Sequence, residues 1–403
     1  MADEAVTDVL VAGTGPAGMV AALAFARDGF AVTLCGPRAG TGDGRTTALM
    51  LPAVEILDSL GIGDALSAQA APLQVMRIID ATRRLIRSPT VTFRAAEIGQ
   101  SAFGLNIPNA ALVSALEQKI RAEPAIVWRQ SLVAQWRLTE QHAEAVLEDG
   151  SRETARLVAA ADGRLSPARE AAGIATRRRA LPQSALVVNF SHSRDHAFAS
   201  TEFHMQTGPF TQVPLPGRRS SLVWVVRPDQ AEELLHLDDA SLSLRIEEQM
   251  QSMLGRVTVE PGRQVYPLSG ALPEKFAQNR VALVGEAAHV FPPIGAQGLN
   301  LGIRDVADLV AVAGRNKSDP GSARALVEYD ARRRPDILAR TGAVTLLNSS
   351  LLTGMMPAQL ARSAGLALLV GLAPVRAFFM REGMRPGSGF RHALSSLREQ
   401  VRR

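Results

Sequence analysis

The sequence predicts an α/β fold in which a parallel-sheet, Rossmann-like domain is interrupted by a separate β-sheet domain and followed by a helical tail. Three observations predict it. A buried-strand pattern, DVLVAG (8–13), enters a glycine-rich turn and a small, apolar helical stretch, and a second strand pattern, AVTLCG (31–36), follows. That order is a β-α-β unit with parallel pairing. A β-rich block then covers 184–228 (SALVVNF, STEFHMQT, SLVWVV), and the first pattern resumes only in VALVGEAAHVFPPIGAQGLNLGIRD, from 281. From 301 onward the pattern is mostly helical. A β-rich block between two parts of an α/β pattern is most simply an insertion.

The stretches between these landmarks complete the picture. GDGRTTALMLPAVEILDSLGI (42–62) reads as a loop and then a helix with Leu51, Val54, Ile56 and Leu57 toward a core. Residues 73–99 alternate as β structure does, and NAALVSALEQKIRAE (109–123) is an amphipathic helix. Short alternating runs fill 126–161, with a hairpin turn at Asp149-Gly150. A polar helical piece (229–254) leads to QVYPL (264–268). The expected partition assigns 1–72, 106–180 and 271–340 to the discontinuous α/β domain. It assigns 73–105 and 181–270 to the inserted domain, and 341–403 to the helical C-terminal region.

The 403 residues are 46% hydrophobic and 21% charged, ordinary values for a chain able to bury a core. The net charge of +5 owes much to arginines in the last third. It suits an anionic ligand or lipid better than nucleic acid, for which no binding signature is present. Cys35 is the single cysteine, so no intrachain disulfide can form and a reducing compartment is expected. MADEAVTDVLVAG lacks the basic segment of a signal peptide. No unbroken apolar run reaches about 18 residues; AGLALLVGLAPV (364–375) comes nearest and is broken by glycine and proline. A cytoplasmic protein is expected.

Three glycine sites carry the functional signal. Gly13-Thr14-Gly15-Pro16-Ala17-Gly18 follows a strand and opens a helix, the context a dinucleotide fingerprint requires. Gly13 permits the tight turn, Gly15 admits backbone to a pyrophosphate, and Gly18 lets helix pack on strand. The helix N-terminus adds free N–H groups and a positive dipole end; a tight turn without ligand is the alternative. One part of the fingerprint is missing. Where an acidic residue should end the second strand and hold the adenosine ribose, the chain reads Cys35-Gly36-Pro37, with Arg38 and Asp43 as nearby substitutes. Losing that bond costs about 1–3 kcal/mol.

The second site, AAADGRLSPAR (159–169), delivers Asp162 to a glycine turn and ends in Arg169, with Ser166 read as a helix N-cap. In the third, a strand at 281–284 ends at Gly285-Glu286. His289, Pro293, Gln297, Gly298, Asn300, Gly302 and Asp305 then line a loop that turns into a helix. A carboxylate placed there can bond sugar hydroxyls, and the double proline fixes the loop. The glycines bare N–H groups to a flat ring with partial negative charge, which the helix dipole supports. No metal site is expected. HSRDH (192–196) spaces two histidines four apart but follows a strand, and it reads as a solvated loop. No serine, cysteine or histidine is arranged with a base as a nucleophile.

Taken in order, GxGxxG, then ADG…S…R, then GEAAH…PP…GAQGLNLGIRD resemble the class A FAD-dependent aromatic monooxygenases of the p-hydroxybenzoate-hydroxylase-like fold. GRTTALMLPAVEILDSLGI, FGLNIPNAALVSALE, EFHMQTGPFTQVPLP…SSLVW and YPLSG bring the resemblance closer to the ubiquinone-biosynthesis hydroxylase branch. It implies a Rossmann-like FAD-binding domain with an inserted β-sheet substrate domain and a helical C-terminal tail. It further implies that Gly13, Gly15, Pro16, Ala17 and Gly18 hold the FAD pyrophosphate and that Arg45 contacts FAD phosphate or ribitol. Asp162 would take part in FAD and nicotinamide-cofactor binding. Gly285 and Glu286 would meet the ribitol. Pro293, Gly295, Ala296, Gln297, Gly298, Leu299 and Asn300 would lie along the flavin. Glu286 stands where the family commonly has Asp, and Ala296 where it usually has Gly.

The same resemblance implies that the flavin carries the hard step, through a C4a-hydroperoxide attacked by an electron-rich phenol ring. NAD(P)H would dock transiently as electron donor, since no second GxGxxG is present. Tyr266, His204 and Pro293 are the candidates for the substrate face, with a packing role as the alternative for Tyr266 and His204. Trp224 is read as core. The tail alternates apolar faces with Arg376, Arg381, Arg385 and Arg391, the pattern of a helix lying at a membrane surface; a helix pair packed on the FAD domain, or a homo-oligomer contact, is the alternative. The expected function is hydroxylation of a polyprenylated phenol in ubiquinone biosynthesis. Its partners would be a lipophilic aromatic substrate, O2 and other quinone-biosynthesis proteins, peripherally at the inner membrane face. A hydroxylase of a small soluble aromatic, a flavin reductase of an isoprenoid lipid, and a non-catalytic flavin-fold lipid-binding or assembly subunit are the alternatives.

Overall fold

Two kinds of apolar strand build two large sheets. The strand Thr7–Ala12 lies between Arg152–Ala160 and Val32–Cys35, all parallel. Ile126–Arg129 extends this sheet on one flank and Val281–Leu283 on the other. Val9, Leu10, Val11 and Leu157 are fully buried because helices cover the sheet, so these strands read as continuous apolar runs. The helix Pro16–Arg27 packs against the helices Asn109–Arg121 and Gln297–Arg315. The expected hairpin joins Ala143–Leu147 to Arg152–Ala160. Gly150 turns it with φ +84°, and Asp149 accepts from Ser151 N at 3.0 Å and from Ser151 Oγ at 2.6 Å. In this computed structural model the described residues are 6–38, 40, 44–82, 87–292, 297–352, 356–385 and 388–389. The expectations for Asp43, Pro293, Gly295, Ala296 and Arg391, and for the side chain of Gln297, lie outside them.

The second sheet is centred on the long strand Thr176–His192, which pairs with Gln264–Pro273, Arg219–Val226 and Val257–Val259. It continues through Pro209–Leu215, Ala199–His204, Val75–Asp80 and Val91–Arg94. Helices Pro228–His236 and Asp239–Gln249 seal one face, over Leu186, Phe190, Phe203, Phe210 and Trp224. Trp224 is therefore core, edge-on to Phe210 at 5.1 Å. The register puts Glu202, Thr211, Val223 and Tyr266 on the opposite face, which is only half-buried. That face turns toward the first sheet's domain: Asn189 Nδ2 donates to Gly44 O at 2.8 Å, and the Arg45 guanidinium lies 5.4 Å from the centre of the Tyr266 ring.

Two local expectations need correction. Residues 46–50, read as loop, form the strand Thr46–Met50, paired with Gly104–Pro108 in a small third sheet. The pairing is supplied by a segment more than fifty residues away, which a local pattern does not show. In the helix that follows, Leu57 and Ala53 are buried while Leu51, Val54 and Ile56 are half-buried. HSRDH is not a solvated loop either: His192 and His196 are 5% and 6% exposed. His192 Nδ1 meets Arg194 O at 2.7 Å and its Nε2 meets Ser220 Oγ at 3.0 Å, while His196 Nε2 meets Leu215 O at 3.0 Å. The rings serve as a packed corner at the strand's end, and no cluster able to hold a metal occurs among the described residues.

No single described helix is long and apolar enough to cross a membrane. After Gln297–Arg315 come the helices Ala323–Leu352, Met356–Gly371 and Ala373–Met384.

Burial holds the His192 imidazole below its ordinary value of 6.5, with the neighbouring His196 adding to the effect. Just below that pH the unfolded chain takes up a proton that the fold resists, so acidification through this window costs stability. Thermal unfolding from about pH 7 to pH 5.5 is therefore expected to fall more steeply for the native protein than for His192→Gln. Equal slopes would remove His192 as the cause.

Candidate functional site

The first glycine site is built by close approach. Gly13 has φ +109°, and a Cβ there would stand 2.3 Å from Ala161 O; one on Gly18 would stand 2.0 Å from Gly13 O. The turn, its helix and the end of the mid-chain strand are thus in main-chain contact, as only glycine permits. Gly15 differs, because nothing lies within 4 Å of the position its Cβ would take. It caps the helix Pro16–Arg27 without any side-chain hydrogen bond, and Pro16 occupies the first turn. An open space over uncapped N–H groups at a positive helix end is a cradle for a diphosphate. The residues present fit FAD here.

The third site meets the first at Ala17. A Cβ on Gly285 would lie 3.1 Å from Ala17 Cβ, and one on Gly302 would lie 3.2 Å from Gly285 Cα and 3.3 Å from Ala17 Cβ. Beneath this contact sits Asp305, fully buried. Its carboxylate accepts from Gly285 N at 3.0 Å and from Arg333 Nε at 2.8 Å, and it pairs with His289 Nε2 at 2.7 Å. His289 in turn stacks on Phe291 at 5.2 Å. One carboxylate therefore fixes the start of the loop, its histidine and the following helices. Gly298 is open, with nothing within 4 Å of its would-be Cβ, and Leu299 packs on the main core. Asn300 Oδ1 accepts from Met50 N at 2.7 Å and its Nδ2 donates to Ala48 O at 2.8 Å, clamping the strand Thr46–Met50 to the loop helix.

Asp162 holds the second site together from inside. Its oxygens accept from Ser166 Oγ at 2.5 Å and Ala168 N at 2.9 Å, and Ser166 Oγ accepts from Arg169 N at 3.1 Å as the expected N-cap. Burial raises the Asp162 pKa, against the hydrogen bonds from Ser166 and Ala168. Arg169, 2% exposed, donates to Ala287 O at 2.8 Å and so ties this site to the third. Glu286 pairs with both nitrogens of the Arg164 fork, at 3.1 Å each.

The missing acid at Gly36 has a steric reason. Gly36 has φ +144°, and a Cβ there would lie 2.8 Å from Thr14 Oγ1. Thr14 Oγ1 donates to Pro37 O at 2.5 Å and Trp128 Nε1 donates to Gly36 O at 2.9 Å. Thr14 thus fills the room a longer residue would need. Arg38 is exposed beside it. Cys35 is no nucleophile: burial, with Glu153 adding, pushes its thiol up to about 12.

On the open face of the second sheet, His204 is 2% exposed and its Nε2 lies 2.8 Å from Glu202 Oε1. Tyr266 is half-buried and bonds Gln264. Val213, on the same face, packs with Ala48 and Met50, the two residues that Asn300 holds. The sheet face and the loop helix thus meet through the strand Thr46–Met50. Sequence reasoning did not single out Thr14, Arg164, Glu202 or Arg333. Glu202 had a signal, since residues two apart in a strand share a face; Arg333 had none, its partner lying in another helix.

The Gly15 and Gly18 sites separate cofactor binding from folding. Gly15→Ala is expected to leave the melting temperature of the FAD-free protein within about 2 °C while weakening FAD at least about tenfold, equal to about 1.4 kcal/mol. Gly18→Ala is expected to destabilise the FAD-free fold itself. Fluorescence titration with FAD and thermal melts measure both; equal effects of the two changes would contradict this cradle.

Residues 6–341 match the FAD binding domain family. The chain is 35% identical over 396 residues to ubiquinone hydroxylase UbiL of Rhodospirillum rubrum, spanning 94% of this chain and 90% of that one. It is 30% identical over 373 residues to the 3-demethoxyubiquinol 3-hydroxylase of Escherichia coli, spanning 89% and 94% respectively. Among solved structures, PqsL of Pseudomonas aeruginosa in complex with 2-aminobenzoylacetate aligns with a TM-score of 0.76 at 22% identity, over 90% of this chain and all of that one. The p-nitrophenol 4-monooxygenase PnpA of Pseudomonas putida aligns with a TM-score of 0.75 at 21% identity, over 94% and 96%. These two likenesses are of fold. With the diphosphate cradle and the converging glycine sites, the family match and the two hydroxylase relatives lead to one conclusion: the chain belongs to the FAD binding domain family and is an FAD-dependent aromatic-ring monooxygenase.

Proposed function

We propose that this monooxygenase hydroxylates the ring of a polyprenylated phenol in ubiquinone biosynthesis, with O2 as oxygen source and NAD(P)H as transient electron donor. The near full-length similarity to hydroxylases named for ubiquinone chemistry carries the reading. FAD, when bound, would supply the activation of O2 for transfer of one of its atoms. The chain's part is to bind, orient and exclude water. Main-chain amides of Gly15, Ala17 and Gly18 take the diphosphate, and Gly13, whose own amide donates to Cys35 O, makes the turn that presents them. Arg45 and Glu286 stand at the site's mouth, and Gly298, Leu299 and Asn300, with Pro293, Gly295, Ala296 and Gln297, are the residues for the flavin edge. Asp162 acts through the backbone it fixes. Tyr266 and His204 belong to the sheet face over which the ring would lie, and Val213, Val223 and Val225 keep that face apolar. The Gly36 departure, which gave weight to a non-catalytic subunit, follows from the packing of Thr14 and is no mark of a decayed site.

A peripheral membrane contact fits the helical tail and a lipid-soluble substrate. Leu368, Val370, Leu372 and Phe379 are 49%, 45%, 47% and 55% exposed, on helices that meet at a bend of 108°. The arginines contribute less than their pattern suggests. Arg376 bonds Glu97 at 2.8 Å and Arg385 bonds Glu55, so these two are held by carboxylates of the chain itself. The contact is therefore chiefly apolar, at the cytoplasmic face of the membrane, where other quinone-biosynthesis proteins or a second copy of this chain would be met.

A strain lacking this gene is expected to accumulate a prenylated precursor one ring hydroxyl short of ubiquinone, read by mass spectrometry of extracted quinones; an unchanged quinone pool would contradict the pathway. Replacing Leu372 and Phe379 together by Asp is expected to lower sedimentation with phosphatidylglycerol-containing liposomes about tenfold or more. Undiminished sedimentation would move the contact elsewhere.

A further inference from the structure

We propose that Glu202, held in place by His204, is the group that takes the proton from the hydroxyl of the aromatic substrate. The inference rests on the phenol-hydroxylation reading above and names the base for it. Oxygen transfer to a phenol ring is helped when the ring oxygen gives up its proton, because the freed electron pair enriches the ring. A carboxylate within reach of that hydroxyl supplies such help.

The placement is what carries the idea. Cross-strand pairing puts Glu202 beside Thr211, then Val223, then Val187 in one row, on the face opposite the one sealed by the helices Pro228–His236 and Asp239–Gln249. The neighbours in that row and the next are mostly apolar, with Val225 and Ala185 in a cluster of their own. The polar groups there include Thr211, Gln264, Tyr266 and Asp80, and among them Glu202 and His204 are joined as a carboxylate and an imidazole. Such a pair is a poor device for stability alone, since apolar residues of like volume often do as well. His204 is the hidden member, 2% exposed as a side chain, whereas Glu202 is 16% exposed. His204 Nε2 holds Glu202 Oε1 at 2.8 Å, leaving Oε2, among the described residues, with only a long 3.5 Å approach from Thr211 Oγ1. The charged group opposite His204 on the adjoining strand is Asp80, whose oxygens serve Thr82 N, Thr82 Oγ1 and Ser88 N. The face itself reaches the cofactor side through Val213, packed with Ala48 and Met50.

In the step, the substrate O–H bond breaks, its electron pair stays on the substrate oxygen, and the proton rests on Glu202 Oε2. After the oxygen atom from O2 has been added, the ring carbon loses its own proton to the second oxygen atom, which leaves as water, aromaticity returns, and Glu202 gives the borrowed proton back to the first oxygen. The electrons that reduce the second atom of O2 to water come from NAD(P)H. His204 is a positioning residue: it fixes the carboxylate through Oε1 and leaves Oε2 for the substrate hydroxyl.

The test uses the FAD-loaded full chain with 2-geranylphenol and a ring-fluorinated analogue whose hydroxyl ionises at lower pH. Glu202→Gln is expected to lower kcat for 2-geranylphenol about a hundredfold or more, with KM within about threefold. It should recover most of that loss with the fluorinated analogue, which arrives already ionised. His204→Gln, which keeps an amide donor toward Oε1, should retain most activity, and His204→Leu should fall as Glu202→Gln does. Unchanged kcat in both Glu202→Gln and His204→Leu, or a loss that the fluorinated analogue does not relieve, would overturn the proposal. If Glu202→Gln does not retain FAD, the His204→Leu and His204→Gln pair decides. Should the native enzyme hydroxylate neither compound nor a longer prenylphenol, the phenol reading itself fails, and the base with it.

Discussion

Main-chain contact among three distant segments is the constraint on which this molecule depends. Gly13 touches Ala161, and Ala17 touches Gly285 and Gly302. A single Cβ at any of these glycines would fall within 3.3 Å of a neighbour, and at Gly13 or Gly18 it would strike a carbonyl oxygen. Close packing of that kind tolerates no adjustment by rotamer change, because the atoms in the way are backbone or the Ala17 Cβ, which has no rotamers. It brings the end of three parallel strands to one edge, where an open sheet places its ligands. The free space then lies over Gly15 and Gly298, where nothing stands within 4 Å of a would-be Cβ.

Charged residues keep this arrangement fixed rather than serve the ligand directly. Asp305 ties Gly285, His289 and Arg333 together, Asp162 ties its own turn, and Arg169 links the second site to the third. Buried charges of this sort are costly unless paired, and here each has its partner within 3.1 Å. The result is a rigid floor with main-chain donors exposed upon it. The second sheet supplies the roof. Its sealed face is an aromatic core, and its other face mixes Val213, Val223 and Val225 with polar groups among which Glu202 and His204 are paired.

The glycine sites were legible because each carries its own local reason: a strand, a turn and a helix in order. The hairpin at Gly150 and the core position of Trp224 were legible for the same cause. What the sequence hid depended on partners far along the chain. The strand Thr46–Met50 exists because Gly104–Pro108 and Asn300 hold it. His192 and His196 look like surface histidines until the strand Arg219–Val226 and the turn after Pro209–Leu215 cover them. Gly36 looked like a defect, yet Thr14, inside the fingerprint itself, explains it. Arg376 and Arg385 looked like membrane anchors and are bound to Glu97 and Glu55. Side-chain type and spacing reveal a motif; the competition for each charge becomes visible only when the chain is folded.

The most direct measurement is a crystal structure of the full chain grown with FAD. The account predicts the diphosphate against the amides of Gly15, Ala17 and Gly18, with the flavin ring running past Gly298 toward the Glu202 face. An FAD molecule bound elsewhere, or one whose diphosphate makes no contact with the helix that begins at Pro16, would contradict it.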